Sequence, residues 1–185
     1  MTKEELTKKA LSFIKKHKNA FIEGELEYED YGHLIFDIVR EGVAVVNELI
    51  EVFEKANIPT ELFKKQFDER YCIDGSAIYN KEKTSLIRVC PESDIKEFVA
   101  DCYVSNNAFM DCQVEKVVLT SNVKTAGHFV FKNCKYLREV VFENGETGLD
   151  NFCFDGCSDE LIIKAPAGGY VEEYAKQYNL KFETI

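Results

Sequence analysis

Ala108-Phe109-Met110-Asp111-Cys112 returns as Val130-Phe131-Lys132-Asn133-Cys134 and again as Cys153-Phe154-Asp155-Gly156-Cys157. The cysteines that close the three phrases lie 22 and then 23 residues apart. At such a period each repeat is one unit that can bury its apolar face only against its neighbours, so the chain is expected to stack into a solenoid. A solenoid presents an extended surface suited to recognising partners. Between the phrases run Val114-Glu115-Lys116-Val117-Val118-Leu119 and Leu137-Arg138-Glu139-Val140-Val141-Phe142, both of the form apolar-x-x-apolar-x-apolar. Leu119 precedes Phe131, and Phe142 precedes Phe154, by the same 12 residues, so each coil must climb, turn and return in nearly the same way.

From Gly75 onward the whole pattern is one of short alternating apolar runs broken by turn residues, which predicts short strands. Val104-Ser105-Asn106-Asn107-Ala108-Phe109 with Cys112, Ala126-Gly127-His128-Phe129-Val130-Phe131 with Cys134, and Leu149-Asp150-Asn151-Phe152-Cys153-Phe154 with Cys157 resemble the Ile-Gly-x-x-Ala-Phe-x-x-Cys half of the BspA-like leucine-rich repeat. The two apolar runs above resemble its strand half. Asp74-Gly75-Ser76-Ala77-Ile78-Tyr79-Asn80-Lys81, leading to Leu86-Ile87-Arg88, is similar to the segment that opens such arrays. Ala165-Pro166-Ala167-Gly168-Gly169-Tyr170, a short helix to about Tyr178 and Leu180-Lys181-Phe182 look like the closing cap. The resemblance covers about residues 74–185 and nothing in 1–72. The glycine of the phrase stands only at Gly127, with Ser105 and Asp150 in its place elsewhere, and the strand before Val104 is the least regular, Ile95 and Phe98 fitting it poorly. What the resemblance implies is a bacterial protein whose solenoid binds other proteins.

Residues 1 to about 72 carry helical spacing and no repeat. Thr2 and Glu5 have the form of a capping box, and Leu6, Ala10, Phe13, Ile14 and His17 keep to one side of a helix predicted to about Lys18. The longest helical signal runs from about Tyr31 to Asn57, where Ile35, Ile38, Val45, Leu49, Val52 and Ala56 form one stripe and Val39, Val43, Val46, Ile50 and Phe53 widen it. Pro59 ends that helix and opens another, with Leu62, Phe63 and Phe67 on a short apolar edge. Glu23-Gly24-Glu25-Leu26-Glu27-Tyr28-Glu29-Asp30 matches a calcium loop only in its number of carboxylates, not in oxygen spacing, and reads as a solvated acidic connection. The fold class expected is therefore α+β: a helical bundle over 1–72 followed, over 73–185, by a short leucine-rich-repeat β-solenoid with a helix and strand cap.

Lys and Arg number 23 against 33 Asp and Glu, a net charge of −10 that disfavours nucleic acid and anionic membranes as partners. The first residues lack a secretory signal's apolar stretch, and no segment approaches the roughly 20 apolar residues that cross a bilayer. A cytoplasmic protein with seven reduced thiols is expected. Coils stacked about 5 Å apart would align Cys112, Cys134 and Cys157, which suggests a metal. Zinc, however, wants four ligands, and His128 falls in a turn outside that column, so packing is the stronger reading. Cys153 fills the small-residue slot of Ala108 and Val130. No motif joins a nucleophile to His17, His33 or His128, and no phosphate loop is present; neither catalysis nor a cofactor is expected.

Strand alternation turns the residues between the inward ones outward. Three outward columns are expected: Lys116, Glu139 and Glu160; Val118, Val141 and Ile162; and Thr120, Glu143 and Lys164. The middle one is an apolar stripe with charged neighbours, the composition of a protein contact. The function expected is noncatalytic binding of a protein partner, with Val118, Val141 and Ile162 buried against it and Lys116, Glu139, Thr120, Glu143 and Lys164 beside them. Two alternatives stay open: a structural or regulatory subunit that forms homo-oligomers through the N-terminal helices, and a thiol-dependent enzyme or metal protein.

Overall fold

The computed structural model describes residues 43–55, 61–91 and 93–185 and the single positions Glu5, Lys8, Ser12, Ile38 and Val39. The helix predicted to Lys18, the acidic connection and the start of the helix from Tyr31 lie outside them, those five helical positions excepted. Two helices are described in this part of the chain, α1 (Val43–Lys55) and α2 (Glu61–Arg70), joined by an ion pair from Lys64 Nζ to Glu54 Oε1 at 2.9 Å. Two helical segments are all that is described before the sheet, and they do not support the expected helical bundle. α2 passes directly into β1 (Tyr71–Asp74), so Tyr71 and Cys72 belong to the sheet and not to the helical region that spacing alone extends to residue 72. The ring of Tyr71 packs 5.5 Å from that of Phe67, a buried residue of α2.

The strands β2 (Ala77–Asn80), β3 (Ser85–Val89), β4 (Glu97–Ala100), β5 (Tyr103–Val104), β6 (Lys116–Leu119), β7 (Thr125–Ala126), β8 (Glu139–Phe142), β9 (Gly148–Leu149) and β10 (Ile162–Ala165) follow in order. The chain closes with α3 (Tyr170–Gln177) and β11 (Lys181–Thr184). The strands form two sheets, β1-β2-β3-β5-β7-β9 and β11-β10-β8-β6-β4. In the first, an antiparallel hairpin turning at Gly75 opens the array and parallel pairing takes over from β3. The second is parallel throughout, because successive coils all run in the same direction. This is the solenoid that the repeat period requires, with the opening segment and the cap where they were expected.

Between the sheets the core is built in columns. Phe109, Phe131 and Phe154 stack at centroid distances of 5.2 Å, with Phe98 edge-on at one end and Tyr174 of α3 edge-on at the other. Val117, Val140 and Ile163 line the second sheet's inner face in register, as do Ala100, Leu119, Phe142 and Ala165. The turns between phrases also repeat: Asn107, Phe129 and Phe152 adopt φ of 60°, 53° and 63°, and Asp111, Asn133 and Gly156 adopt 63°, 61° and 72°.

Two glycines are fixed by close approach of main chain. A Cβ on Gly127 would stand 2.7 Å from the backbone N of Asn106, whose side chain accepts a hydrogen bond from His128 N at 2.9 Å. That contact explains why the repeat's glycine is kept in this coil. At Gly169, which precedes α3, a Cβ would lie 2.5 Å from the carbonyl oxygen of Gly145, itself the acceptor for Val171 N. Gly169→Ala is therefore expected to push α3 off the preceding coil and to destabilise the chain by about 1–3 kcal/mol, read as a lower denaturation midpoint with an unchanged slope.

Candidate functional site

The outer face of the second sheet is the candidate surface. Parallel sheets are ordinarily covered on both faces. Here the inward face is filled by the columns just described, and among the described residues no helix lies over the other. The register sets two outward rows. One runs Glu97, Lys116, Glu139, Ile162 and Lys181; the other runs Val99, Val118, Val141, Lys164 and Glu183. Val118 and Val141 are half-buried, while Val99 is 61% exposed.

Two of the expected columns thus hold for the first two coils and are shifted in the last. Ile162 stands beside Glu139 and not beside Val141, Lys164 stands beside Val141 and not beside Glu143, and Glu160 has left the sheet to pair with Arg138. Alternation fixes which face a side chain takes but not how far its strand slides, and a slide of two residues keeps every side chain on its face. Thr120 and Glu143 lie just past the strand ends, where the Thr120 hydroxyl bonds Asp101 and Glu143 accepts a hydrogen bond from Ser121 N at 3.0 Å. Val99 was absent from the expected stripe because its coil is shorter: β4 and β5 begin six residues apart, against nine in the next two coils.

The charges on this face form one connected line. Glu139 bridges Lys116 Nζ at 2.9 Å and Lys164 Nζ at 2.8 Å, and Lys164 reaches Glu183 at 3.2 Å. The hydrogen bond from Lys164, then that from Lys116, holds the Glu139 carboxyl below the usual range. The same contacts raise both lysines. The face therefore carries an apolar strip of three valines crossed at Val141 by a neutralised diagonal of alternating sign.

Residues 102–181 match the family model described as BspA type Leucine rich repeat region (6 copies). This part of the chain is similar to BspA-type leucine-rich repeats. No curated protein and no solved structure matches the chain. Leucine-rich-repeat solenoids are in general protein-interaction modules, built to display one sheet along their length.

The repeat's cysteine column is a ladder of hydrogen bonds. Cys112 Sγ donates to Val89 O at 3.4 Å, Cys134 Sγ to Phe109 O at 2.9 Å and Cys157 Sγ to Phe131 O at 3.0 Å. Cys134 and Cys157 thus link their coils to the aromatic residue of the coil before, and Cys112 links its coil to Val89. Burial pushes the Cys112 and Cys157 thiols up to about 12 and that of Cys134 higher still, while Cys153 is pushed to about 11. At neutral pH such buried thiols are protonated and serve as hydrogen-bond donors. Among the described residues no group of three His, Cys, Asp or Glu side chains is placed to hold a metal. His128 is paired with Asp150 Oδ2 at 2.7 Å on an exposed turn. Under native conditions a disulfide reagent is expected to leave Cys112, Cys134 and Cys153 unmodified, and to reach them in denaturant. Fast labelling of any of the three in folded protein would show that the column is open.

Proposed function

We propose that the protein is a noncatalytic binding module that recognises another protein through the outer face of the second sheet. The observation that carries this reading is the strip Val99, Val118 and Val141 on a parallel sheet whose partner-free face no described element covers. The partner buries the strip, and the Lys116, Glu139, Lys164 and Glu183 line sets register and rejects surfaces with like charges opposite. Ile162 extends the contact along the neighbouring row. No described helix is long and apolar enough to cross a membrane.

The test is affinity capture from the source cell with wild-type protein and with Val141→Ala and Val118→Ala. Because both valines point away from the core, each substitution is expected to lower stability by less than about 1 kcal/mol while reducing recovered partner about tenfold. Cooperative unfolding of either variant at the growth temperature would mean that the strip is internal, covered by the chain's own N-terminal residues. A homodimer in light scattering that the same substitutions dissociate would assign the face to a second copy. A dimer dissociated only by polar substitution in α1 would assign assembly to the helices instead.

A further inference from the structure

The hydrogen-bond ladder along the turn ridge runs out before the cap begins. Each coil donates to the next: Phe109 N to Val130 O and Asp111 N to Lys132 O, both at 2.9 Å, then Phe131 N to Cys153 O at 2.9 Å and Asn133 N to Asp155 O at 2.8 Å. The next pair in the series, the N–H groups of Phe154 and Gly156, has no main-chain acceptor among the described residues. The thiol column stops at the same level, since no cysteine reaches Phe154 O as Cys157 reaches Phe131 O. The reason lies in α3. The hydroxyls of Tyr170, Tyr174 and Tyr178 donate to Leu149 O, Asp150 O and Asn151 Oδ1 at 3.0, 3.0 and 2.6 Å, sealing residues 149–151. The helix ends at Gln177 and leaves 152–156 uncapped. A half-open cleft of about 710 Å³ occupies the place, between the ridge and the return from Tyr178 to Lys181.

We propose that this cleft binds a short extended segment of a partner protein as an additional rung of the ladder. Two parallel N–H groups two residues apart ask for the carbonyls of residues i and i+2, which is how a peptide backbone presents them. On each of the two preceding coils the equivalent place is filled by main chain in that geometry. The Tyr174 ring already stands edge-on to Phe154 at 6.2 Å, where the next aromatic of the column would sit, so the side chain between the two carbonyls must be small. The lining carries Asp155 and Asp159 against Lys181, in a chain of net charge −10. An anion on the open amides is thereby disfavoured, and a segment bearing Lys or Arg is favoured. Of the sheet face the cleft shares only Lys181, at the far end of the outer row from Glu97, so its occupant can bind while the valine strip is engaged.

The probe is the end-blocked peptide Val-Ala-Lys-Asn-Ser-Lys, the ridge sequence of the second coil with its aromatic and thiol made small. Added to ¹⁵N-labelled full-length protein, it is expected to shift the Phe154 and Gly156 amide signals and slow their hydrogen exchange, leaving Phe109 and Phe131 unmoved. Asp159→Lys, an exposed change outside the core, is expected to weaken binding about tenfold. No response at millimolar peptide, or shifts confined to the Val118 and Val141 face, overturns the proposal. Inorganic phosphate moving the same two amides would make the site an anion nest, and protein-concentration-dependent shifts without peptide would give it to a second copy; either result also overturns it.

Discussion

Phe131→Ala is expected to cost about 3–5 kcal/mol, lowering the melting temperature by about 10–20 °C. Phe131 is fully buried and is the one ring of the column stacked on both sides, against Phe109 at 5.2 Å and 24° and against Phe154 at 5.2 Å and 8°. Removing it leaves a void bounded by two rings that cannot close without sliding the coils, and the coils are held by the ladder from Phe131 N to Cys153 O and from Cys134 Sγ to Phe109 O. The lining of the void loses its contacts outright. Phe131→Leu keeps much of the volume and should lose markedly less. Urea denaturation of the three proteins decides the matter: a loss under about 1 kcal/mol for the alanine variant would show that the column is not what holds successive coils together.

That column was legible in the sequence because its period is strict and its residue type unambiguous. Phe109, Phe131 and Phe154 are large, apolar and 22 to 23 residues apart, and the cysteines follow each by three. The cap was legible through resemblance, since Ala165 to Tyr170, the run to about Tyr178 and Leu180-Lys181-Phe182 look like the segment that closes such arrays. The sheet surface was legible in facing but not in register. In Leu161-Ile162-Ile163 apolar residues occupy both faces in succession, so nothing in the string distinguishes Ile162 opposite Glu139 from Ile162 opposite Val141. The valine strip was underestimated from the other end, because Val99 sits in a coil whose return is three residues shorter than those that define the period. The open amides of Phe154 and Gly156 had no signal at all. They follow from where α3 stops relative to the ridge, a fact of tertiary packing that no local pattern encodes.

Tyr174→Ala is the second change with a large expected effect, about 3–4 kcal/mol, and its comparison with Tyr174→Phe separates two contributions of one side chain. The ring closes the aromatic column over Phe154 and packs 4.5 Å from Tyr178 and 6.4 Å from Tyr170, while the hydroxyl donates to Asp150 O at 3.0 Å. Burial, with the Cys153 thiol beside it, raises this phenol well above the usual tyrosine range, so the hydroxyl is a donor at neutral pH. Tyr174→Phe removes the hydroxyl's hydrogen bonds to Asp150 O and to Cys153 and leaves the ring in place, so a loss of about 1 kcal/mol is expected. Tyr174→Ala uncovers Phe154 and takes away the contact that fixes α3 on the last coil. In a stacked array the terminal unit is stabilised from one side only, so its loss exposes the next coil to fraying. Hydrogen exchange should show the order: the amides of residues 162–165 and 181–184 lose protection first in Tyr174→Ala, while Phe109 N–H retains that of the wild type. Uniform loss of protection from both ends would mean that the coils unfold as one unit and that α3 is not an independent cap.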